Sequence, residues 1–435
     1  MYRKVLDELL AWKDSPRRKP LVLKGARQVG KTWLMKELAS KAYDGCIYVS
    51  FDKDADAVKI FDETKDPKLI LERLSLIQGK AILPGKTLII LDEIQECPNA
   101  LGSLKYFNEE ANEYHVITAG SLLGTYLAKP MSYPVGKVNL LDIYPLSFEE
   151  YLAAADTGMY RYFCSIHSSA DYVSAFHMKM MEHYKKYLII GGMPECVQSW
   201  VNTADPEEIS TIQAEIISFY ENDFTKHNKE VNSGKILQVF RSIVPQLAKE
   251  SNEKFMYAAI AKSARAKDFE DAIEWLISSG IAYRILNISK PEYPLKAYEI
   301  LNYFKLFLLD VGLIKHLAGL TNKSILLSES FQFKGQLTEN YVLEQLMPIL
   351  PNAPNFYAFA QDREIDFVLQ HGDSIVPLEV KAGRDKKAVS FKSYIDKHGP
   401  EIAVRFSTME YLKNGAITNI PLYFVGKMFE LTSGA

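Results

Sequence analysis

The sequence predicts an α/β protein with a parallel β-sheet near its start and a second, smaller α/β region at its end. Up to about residue 145, short apolar runs alternate with helix-like segments, a pattern typical of a parallel sheet covered by helices. Long amphipathic segments then dominate from residue 147 to about 249. From about residue 335 the pattern predicts a helix, three short strands, a basic helix and further strands.

The composition limits the class of protein. A length of 435 residues favours two or three domains, and the net charge of -3 means that any nucleic-acid contact must come from a local basic patch. The four cysteines form no C-x-x-C pair, which argues against a zinc ribbon and favours a reducing compartment. No uncharged apolar run reaches the roughly 18 residues needed to span a bilayer. We therefore expect a cytoplasmic protein without a membrane segment.

The N-terminal sheet is predicted from apolar runs of strand length. Buried strands are expected at residues 21–23, 46–51, 87–91 and 116–118. Helices are expected between them, including residues 33–42 and 99–113. In such a sheet the carboxyl ends of the strands meet at one edge, where ligands bind.

A glycine-rich loop joins the first strand to the first of these helices. Its sequence fits G-x-x-x-x-G-K-[ST] in full and consists of Gly25, Ala26, Arg27, Gln28, Val29, Gly30, Lys31 and Thr32. Gly25 and Gly30 allow the backbone to curl so that its N–H groups point at phosphate oxygens. The following helix adds its positive dipole end. Lys31 would reach the β- and γ-phosphates, and the Thr32 hydroxyl would bind Mg²⁺.

An acidic pair follows the strand at residues 87–91. Asp92 would hold Mg²⁺ through water, and Glu93 would orient and deprotonate the attacking water. The alternative, an acidic helix cap, is disfavoured by the phosphate-binding loop upstream.

After the next strand, Ser121 or Thr118 would position the water, with an ordinary capping turn as the alternative.

A series of motifs carries a resemblance to a known family. In order, the chain contains GARQVGKT, LIILDEIQ, ITAGSLL, PVGKVNLLDIYPLSFEEYL, YLIIGGMPECV, YENDFTKH, YFKLFLLDVGLI and GQLTENYVLEQL. The series resembles the prokaryotic predicted ATPases of the AAA+ superfamily that carry a restriction-endonuclease-like C-terminal domain. The resemblance covers nearly the whole chain. It implies a P-loop NTPase sheet with a helical lid, and ATP and Mg²⁺ as ligands.

One position departs from the family pattern. Similar proteins often have Gly-Arg where this chain has Gly136-Lys137. A lysine keeps the positive charge of a cationic finger but loses the bidentate geometry of guanidinium. A solvated lysine at a strand end is the alternative. Relatives often form rings, so a homo-oligomer is expected, although the sequence names no clear arginine finger.

The C-terminal region carries a pattern of acids and a lysine. Glu339 lies on a predicted helix, Asp366 in the strand REIDFVL, and Glu379 and Lys381 in PLEVKAG. Glu379 and Lys381 share one strand face, and a hairpin would bring Asp366 beside them. Acidic oxygens would hold Mg²⁺ while the lysine activates water. The pattern resembles that of the restriction-endonuclease-like fold. That fold has an acidic residue on a helix, and Glu339 matches it. Edge-strand charges with incidental salt bridges are the alternative.

Two basic segments are candidate DNA contacts. The first follows the C-terminal acids and contains Lys381, Arg384, Lys386, Lys387, Lys392 and Lys397. The second belongs to a predicted winged helix, in which helical patterns lead into the apparent hairpin at residues 281–300. It contains Lys262, Arg265 and Lys267. The alternative for the first segment is a solvated helix face. The alternative for the second segment is a solvated rim over a domain interface.

These patterns predict a four-part chain. We expect an AAA+-like core at residues 1–146, a helical lid and connector at 147–230, a winged helix at 231–300 and a restriction-endonuclease-like domain at 301–435. The predicted function is a Mg-dependent ATPase that couples nucleotide state to DNA or partner handling. The alternative is a non-nucleolytic regulatory switch whose C-terminal domain only binds a partner or DNA.

Overall fold

The chain folds into two compact units. The computed structural model describes residues 1–120, 136–226, 232–248, 255–260, 265–327, 333–360, 363–383 and 389–432. Residues 3–144 and 275–281 form the first unit, here called the N-terminal unit. The remaining residues, 1–2, 145–274 and 282–435, form the C-terminal unit. The expected four-part division of the chain stays a prediction.

The N-terminal unit is built on a five-stranded sheet in which every pairing is parallel. Its strands are β1 (Leu21–Lys24), β2 (Gly45–Ser50), β3 (Thr87–Asp92), β4 (His115–Ala119) and β5 (Asn139–Asp142), in the order β2-β3-β4-β1-β5. Its helices are α1 (Val5–Asp14), α2 (Lys31–Ala42), α3 (Ala55–Glu63), α4 (Pro67–Gln78) and α5 (Pro98–Glu110). The predicted parallel sheet is confirmed.

The central strands of this sheet are continuous apolar runs with no polar face. Every residue of β3 and of β4 is buried, because helices cover both faces of a parallel sheet. Helix α4 shows how local chemistry sets the boundaries. The Asp66 side chain accepts a hydrogen bond from Lys68 N, and Pro67 occupies the first helical position. Gly79 ends the helix in the left-handed conformation.

The C-terminal unit begins with helices, as the amphipathic segments predict. They are α6 (Phe148–Ala155), α7 (Thr157–Ser165), α8 (His177–Ile190), α9 (Pro194–Thr203), α10 (Pro206–Lys226), α11 (Ser233–Leu247) and α12 (Ala266–Ser278), whose last residues belong to the N-terminal unit. Ser147 and Glu150 form a capping box that starts α6. The GGMP turn separates α8 from α9.

An eight-stranded mixed sheet completes the C-terminal unit. Its strands are β6 (Ala282–Ile288), β7 (Glu299–Leu308), β8 (Asn355–Ala360), β9 (Arg363–His371), β10 (Ser374–Lys381), β11 (Ala403–Ser407), β12 (Leu412–Asn414) and β13 (Ile417–Pro421), in the order β12-β13-β11-β10-β9-β8-β6-β7. The accompanying helices are α13 (Val311–Leu317), α14 (Asn322–Leu327), α15 (Lys334–Leu346), α16 (Val389–His398) and α17 (Met428–Thr432). The predicted C-terminal order of helix, three strands, helix and further strands is confirmed.

The expected hairpin is present, but it does not stand apart as a wing. Strands β6 and β7 pair antiparallel, and β6 also pairs with β8, so the hairpin forms one edge of the larger sheet. Arg265 and Lys267 are exposed, and Lys262 lies outside the described residues. The winged helix therefore stays a prediction.

A buried polar network explains three of the motifs that carry the family resemblance. Asp310, fully buried, accepts hydrogen bonds from Gly192 N at 2.6 Å and Leu313 N at 2.8 Å, and caps α13. Burial raises the pKa of Asp310 to about 6. Glu344 on α15 accepts from Tyr187 OH at 2.7 Å and from Val311 N at 2.8 Å. These motifs hold the helices of the C-terminal unit together.

None of the helices in the described ranges combines the length and the apolar character that crossing a membrane requires.

Replacing Gly191 by alanine tests this network. Gly191 has φ 73° and ψ -170°, a region that glycine alone adopts readily, and a Cβ there would lie 2.3 Å from Asp310 Oδ1. We expect Gly191→Ala to lower the free energy of unfolding by about 3 kcal/mol. In the control Gly399→Ala, φ is 56° and nothing lies within 4 Å; we expect a loss of about 1 kcal/mol. Urea unfolding measures both, and equal losses would contradict the proposed crowding.

Candidate functional site

The loop between β1 and α2 curls tightly, as the glycine pattern predicts. Gly25, Gln28 and Gly30 have φ values of 137°, 65° and 95°. A Cβ on Gly25 would lie 2.2 Å from Ile143 O, so the loop packs where only glycine fits. Alternation of left-handed and right-handed residues turns successive N–H groups into one concave surface that binds anions. The loop therefore has the backbone shape of a phosphate cradle.

Lys31 begins α2 and folds back onto this loop. Its Nζ donates to Gly25 O at 2.8 Å and to Ala26 O at 2.6 Å, and the residue is 8% exposed. Burial lowers the pKa of Lys31 to about 8, while the charges of Glu93 and Asp92 oppose the shift. The two carbonyls are neutral acceptors, and a phosphate oxygen would be a stronger partner for the ammonium.

Asp92, at the end of β3, collects hydrogen bonds from two other elements. Its Oδ2 accepts from Thr32 Oγ1 at 2.8 Å and from Tyr48 OH at 2.9 Å, and its Oδ1 accepts from Glu93 N at 3.1 Å. Burial raises the pKa of the Tyr48 phenol to about 12, with the Asp92 charge adding to the shift. Thr32 and Asp92 are brought together as predicted.

Tyr48 is a member of this site that the sequence reasoning missed. In β2 it pairs with Ile90, two residues before Asp92, so it shares a sheet face with Asp92. The alternation in β2 is visible in the sequence, but the strand order that puts β2 next to β3 is not.

Glu93 follows in an unusual conformation. Its φ of 50° and ψ of 45° are left-handed, which is uncommon outside glycine. Gln95 Nε2 donates to Glu93 Oε2 at 2.6 Å. Gln95 is 3% exposed, and its Oε1 is buried without a hydrogen-bond partner in the described part of the chain. Gln95 is not among the site residues predicted from the sequence.

Two distant segments support the loop within the N-terminal unit. Arg3, which is 4% exposed, donates to Val29 O at 2.9 Å and to Tyr144 O at 2.8 Å. Gly280 lies against the loop from the other segment, since a Cβ there would be 3.0 Å from Ala26 N. Long separation in the sequence hides both supports from pattern analysis.

The other predicted residues of this unit are less well placed. Ser121 lies outside the described residues. Thr118 is fully buried and pairs in register with Leu91, so strand alternation points its side chain to the sheet face opposite Asp92. Lys137 forms an ion pair with Glu109 at 2.8 Å and is 40% exposed, and its role as a cationic finger or as a solvated strand-end lysine stays a prediction.

In the C-terminal unit, the predicted acids and lysine do come together. Strands β9 and β10 pair antiparallel through Leu378 and Phe367, which makes Asp366 and Glu379 the next opposed pair. Asp366 Oδ2 accepts from Val380 N at 2.6 Å, and Lys381 Nζ lies 2.5 Å from Glu379 Oε1. The hairpin expected from the sequence is confirmed.

The carboxyl groups of this cluster repel one another. Burial raises the pKa of Glu339 to about 8, that of Glu379 to about 8 and that of Asp366 to about 6. After burial, the negative charge of Asp366 is the largest cause of the raised pKa of both glutamates. Glu379 is 3% exposed, and its Oε2 lacks a partner in the described ranges.

A second ion pair completes the cluster and was not predicted. Lys305 Nζ, on β7, lies 2.7 Å from Glu364 Oε1, and the two side chains are 14% and 8% exposed. Among the described residues, no three His, Cys, Asp or Glu side chains are arranged to hold a metal ion. Asp366 accepts from a backbone N–H and Glu379 pairs with Lys381, and the metal-ligand role of Glu339, Asp366 and Glu379 stays a prediction.

The predicted basic segment beside the cluster is only partly described. Lys392 and Lys397 on α16 are exposed. Arg384, Lys386 and Lys387 lie outside the described residues. The DNA-contact role of this segment stays a prediction.

The Lys305–Glu364 pair provides a test of how the cluster is held. Removing one partner of a buried pair leaves an uncompensated charge, so we expect Lys305→Met to cost about 3–5 kcal/mol of unfolding free energy. The matched control is Arg241→Met, which breaks an ion pair of 2.9 Å with Glu221 in which the arginine side chain is 60% exposed. We expect Arg241→Met to lower the free energy of unfolding by only about 0–1 kcal/mol. A small loss for Lys305→Met would show that the cluster does not depend on this pair.

Three segments of the chain are similar to known protein families. Residues 17–152 match the family model described as AAA domain. Residues 181–324 and 334–424 match two further models, each described as a domain of unknown function. The search of curated proteins found no match.

Several solved structures align with the chain at low similarity. The Aeropyrum pernix ORC1 protein in complex with DNA is 13% identical, with 73% of this chain and 91% of that chain covered and a TM-score of 0.28. AMPPCP-bound DnaA from Aquifex aeolicus is 15% identical, with 63% and 85% covered and a TM-score of 0.27. The Thermotoga maritima RuvB Holliday junction branch migration motor is 12% identical, with 65% and 90% covered and a TM-score of 0.29. Scores this low carry no inference.

The family match and the geometry agree on the same residues. The segment that matches the AAA model contains the curled loop, the buried lysine and the acidic strand end. Residues 17–152, which match the AAA domain model, contain all five strands of the parallel sheet.

Proposed function

We propose that this protein is a Mg-dependent ATPase that binds ATP through the loop at residues 25–32. The observation that carries the proposal is the hydrogen bond of 2.8 Å between Thr32 and Asp92 beside the loop on which Lys31 lies. These groups come from separate parts of the chain, and the fold brings them to one edge of the sheet. Their convergence is difficult to explain by stability alone, since Asp92 and Lys31 are both buried charges.

The residues present fit a magnesium nucleotide. Thr32 and Asp92 offer hard oxygen atoms on one side of the loop, the ligand type that Mg²⁺ prefers. The metal, when bound, neutralises the charge of the β- and γ-phosphate oxygens. Thr32 would be its direct ligand, and Asp92 would hold it through water. Lys31 would exchange its carbonyl partners for phosphate, and Glu93 would accept the proton of the attacking water.

Loss of Lys31 tests nucleotide binding. We expect Mg-ATP to raise the melting temperature of the wild type, because at 100 times Kd a ligand stabilises the folded state by about 2.7 kcal/mol. Lys31→Ala should show no such rise. The control Lys41→Ala lies at the far end of the same helix, where it removes an exposed ion pair with Glu37, and should behave as the wild type. Absence of a nucleotide effect in the wild type would end the proposal.

For the C-terminal unit, the geometry favours the regulatory alternative over cleavage. Lys381, the residue expected to activate water, is engaged at 2.5 Å with Glu379, one of the expected metal ligands. In the described ranges the neighbouring acids are not spaced around a metal. We propose that nucleotide state is coupled to partner or DNA handling by this unit without strand cleavage. Self-assembly of the chain and a cytoplasmic location belong to the same proposal.

A cleavage assay separates the two possibilities. Plasmid and single-stranded DNA would be incubated with Mg²⁺ or Mn²⁺ and either wild type or Asp366→Ala. We expect no difference in cleavage between the two proteins, because Asp366 is held by Val380 N within the cluster. Metal-dependent cleavage by the wild type that is lost in Asp366→Ala would contradict the regulatory proposal and establish a nuclease.

A further inference from the structure

The turn that follows β3 contains a glutamine with one hydrogen-bonding group satisfied and one free. Gln95 lies in the 3-10 turn Ile94–Glu96 and is 3% exposed. Its amide nitrogen donates to Glu93 Oε2 at 2.6 Å. Its amide oxygen, buried as well, has no hydrogen-bond partner in the described part of the chain.

Glu93 and Gln95 each have one feature that lowers the stability of the folded state. A left-handed conformation at a non-glycine residue such as Glu93 is unfavourable, and so is a buried carbonyl oxygen without a donor. An apolar residue at position 95 would avoid the second cost. Unfavourable features of this kind concentrate where a ligand or a reaction uses them.

The position of Glu93 indicates which ligand this is. Glu93 directly follows Asp92, whose Oδ1 accepts from Glu93 N at 3.1 Å and whose Oδ2 accepts from Thr32 Oγ1 at 2.8 Å. Lys31 in turn lies on the phosphate-binding loop. Glu93 therefore lies next to the acid that is hydrogen-bonded to the start of α2, and Gln95 donates to the Glu93 carboxylate. A donor that reaches the Gln95 oxygen from this region has to be small, because the residue is almost fully enclosed.

We infer that Gln95 is a positioning residue for hydrolysis, whose amide nitrogen orients Glu93 and whose amide oxygen accepts a hydrogen bond from the attacking water. This inference rests on the proposed ATPase function and names a residue for it beyond the loop and the acidic pair. An amide suits this position because it carries donors and an acceptor on one rigid group.

The step balances without any further reactant. The water oxygen forms a bond to the γ-phosphorus, and the bond from that phosphorus to the β,γ-bridging oxygen breaks, with its electron pair leaving on ADP. One water proton passes to the Glu93 carboxylate. The other hydrogen stays on the attacking oxygen, which becomes part of the phosphate, and donates a hydrogen bond to Gln95 Oε1, so Gln95 itself is chemically unchanged. Holding the water and the base in one geometry is the contribution of the amide.

The test replaces Gln95 by methionine, which has similar length but no hydrogen-bonding amide. We expect kcat for ATP to fall about tenfold or more, because the water and Glu93 lose their positions. The Kd for a non-hydrolysable ATP analogue should stay within about twofold, since Gln95 contacts neither the loop nor Mg²⁺ in this mechanism. The melting temperature should be unchanged or higher, because a buried oxygen without a partner is removed.

The matched control is Asn99→Ala in the same domain. Asn99 Nδ2 also donates to a carboxylate, Asp62 Oδ1, at 2.9 Å, but on the exposed surface. The kcat of the Asn99→Ala variant should equal that of the wild type. A second variant, Gln95→Glu, keeps the size and the acceptor oxygens of the side chain while it removes the donor to Glu93, and should also lose turnover. This variant decides the question if Gln95→Met does not fold.

The outcomes separate this inference from the proposed function. A wild type that binds no ATP, or binds it without turnover, overturns the ATPase proposal and the inference together. A wild type with turnover and a Gln95→Met variant of equal kcat overturns the inference alone. Parallel losses of melting temperature, analogue binding and kcat would assign Gln95 a purely structural role and would also overturn it.

Discussion

The carboxylate of Asp92 is the point on which the nucleotide site depends. Thr32 from α2, Tyr48 from β2 and the main chain of Glu93 all donate to it, so one buried charge orders a helix start, a neighbouring strand and a turn. A buried carboxylate is tolerated only when its oxygens are satisfied in this way. The same hydrogen bonds that satisfy Asp92 place the Thr32 hydroxyl beside it, where the proposed magnesium ion would bind.

The C-terminal unit uses the same principle for a different purpose. Asp310 and Glu344 are buried carboxyls whose partners are mostly backbone N–H groups at a helix start and at the GGMP turn. Their hydrogen bonds join α8, α13 and α15, so their physical role is to hold helices together. A recurring motif with polar residues is therefore not by itself a sign of chemistry.

The acidic cluster on β9 and β10 stands between these two cases. Burial, and then the neighbouring acids, raise the pKa of its carboxyls, yet Lys381 and Lys305 each pair with one of its acids. Lysine partners satisfy buried acids in the way that a cation would. The two lysines therefore offset part of the repulsion among these acids.

The local patterns of the sequence determined the secondary structure and part of the site. The parallel strands of the first sheet, the curled loop at residues 25–32 and the β9–β10 hairpin all follow from periodicity and from residue types at fixed spacing, which act over a few positions. Tertiary structure alone decided the rest, because the order of strands and the packing of distant segments leave no local pattern. Tyr48 reaches Asp92 only because β2 lies beside β3, and Gly280 meets the loop across more than half of the chain. Lys305 joins the acidic cluster for the same reason: its strand is brought there by the fold, and charge neutralisation in a buried site holds it.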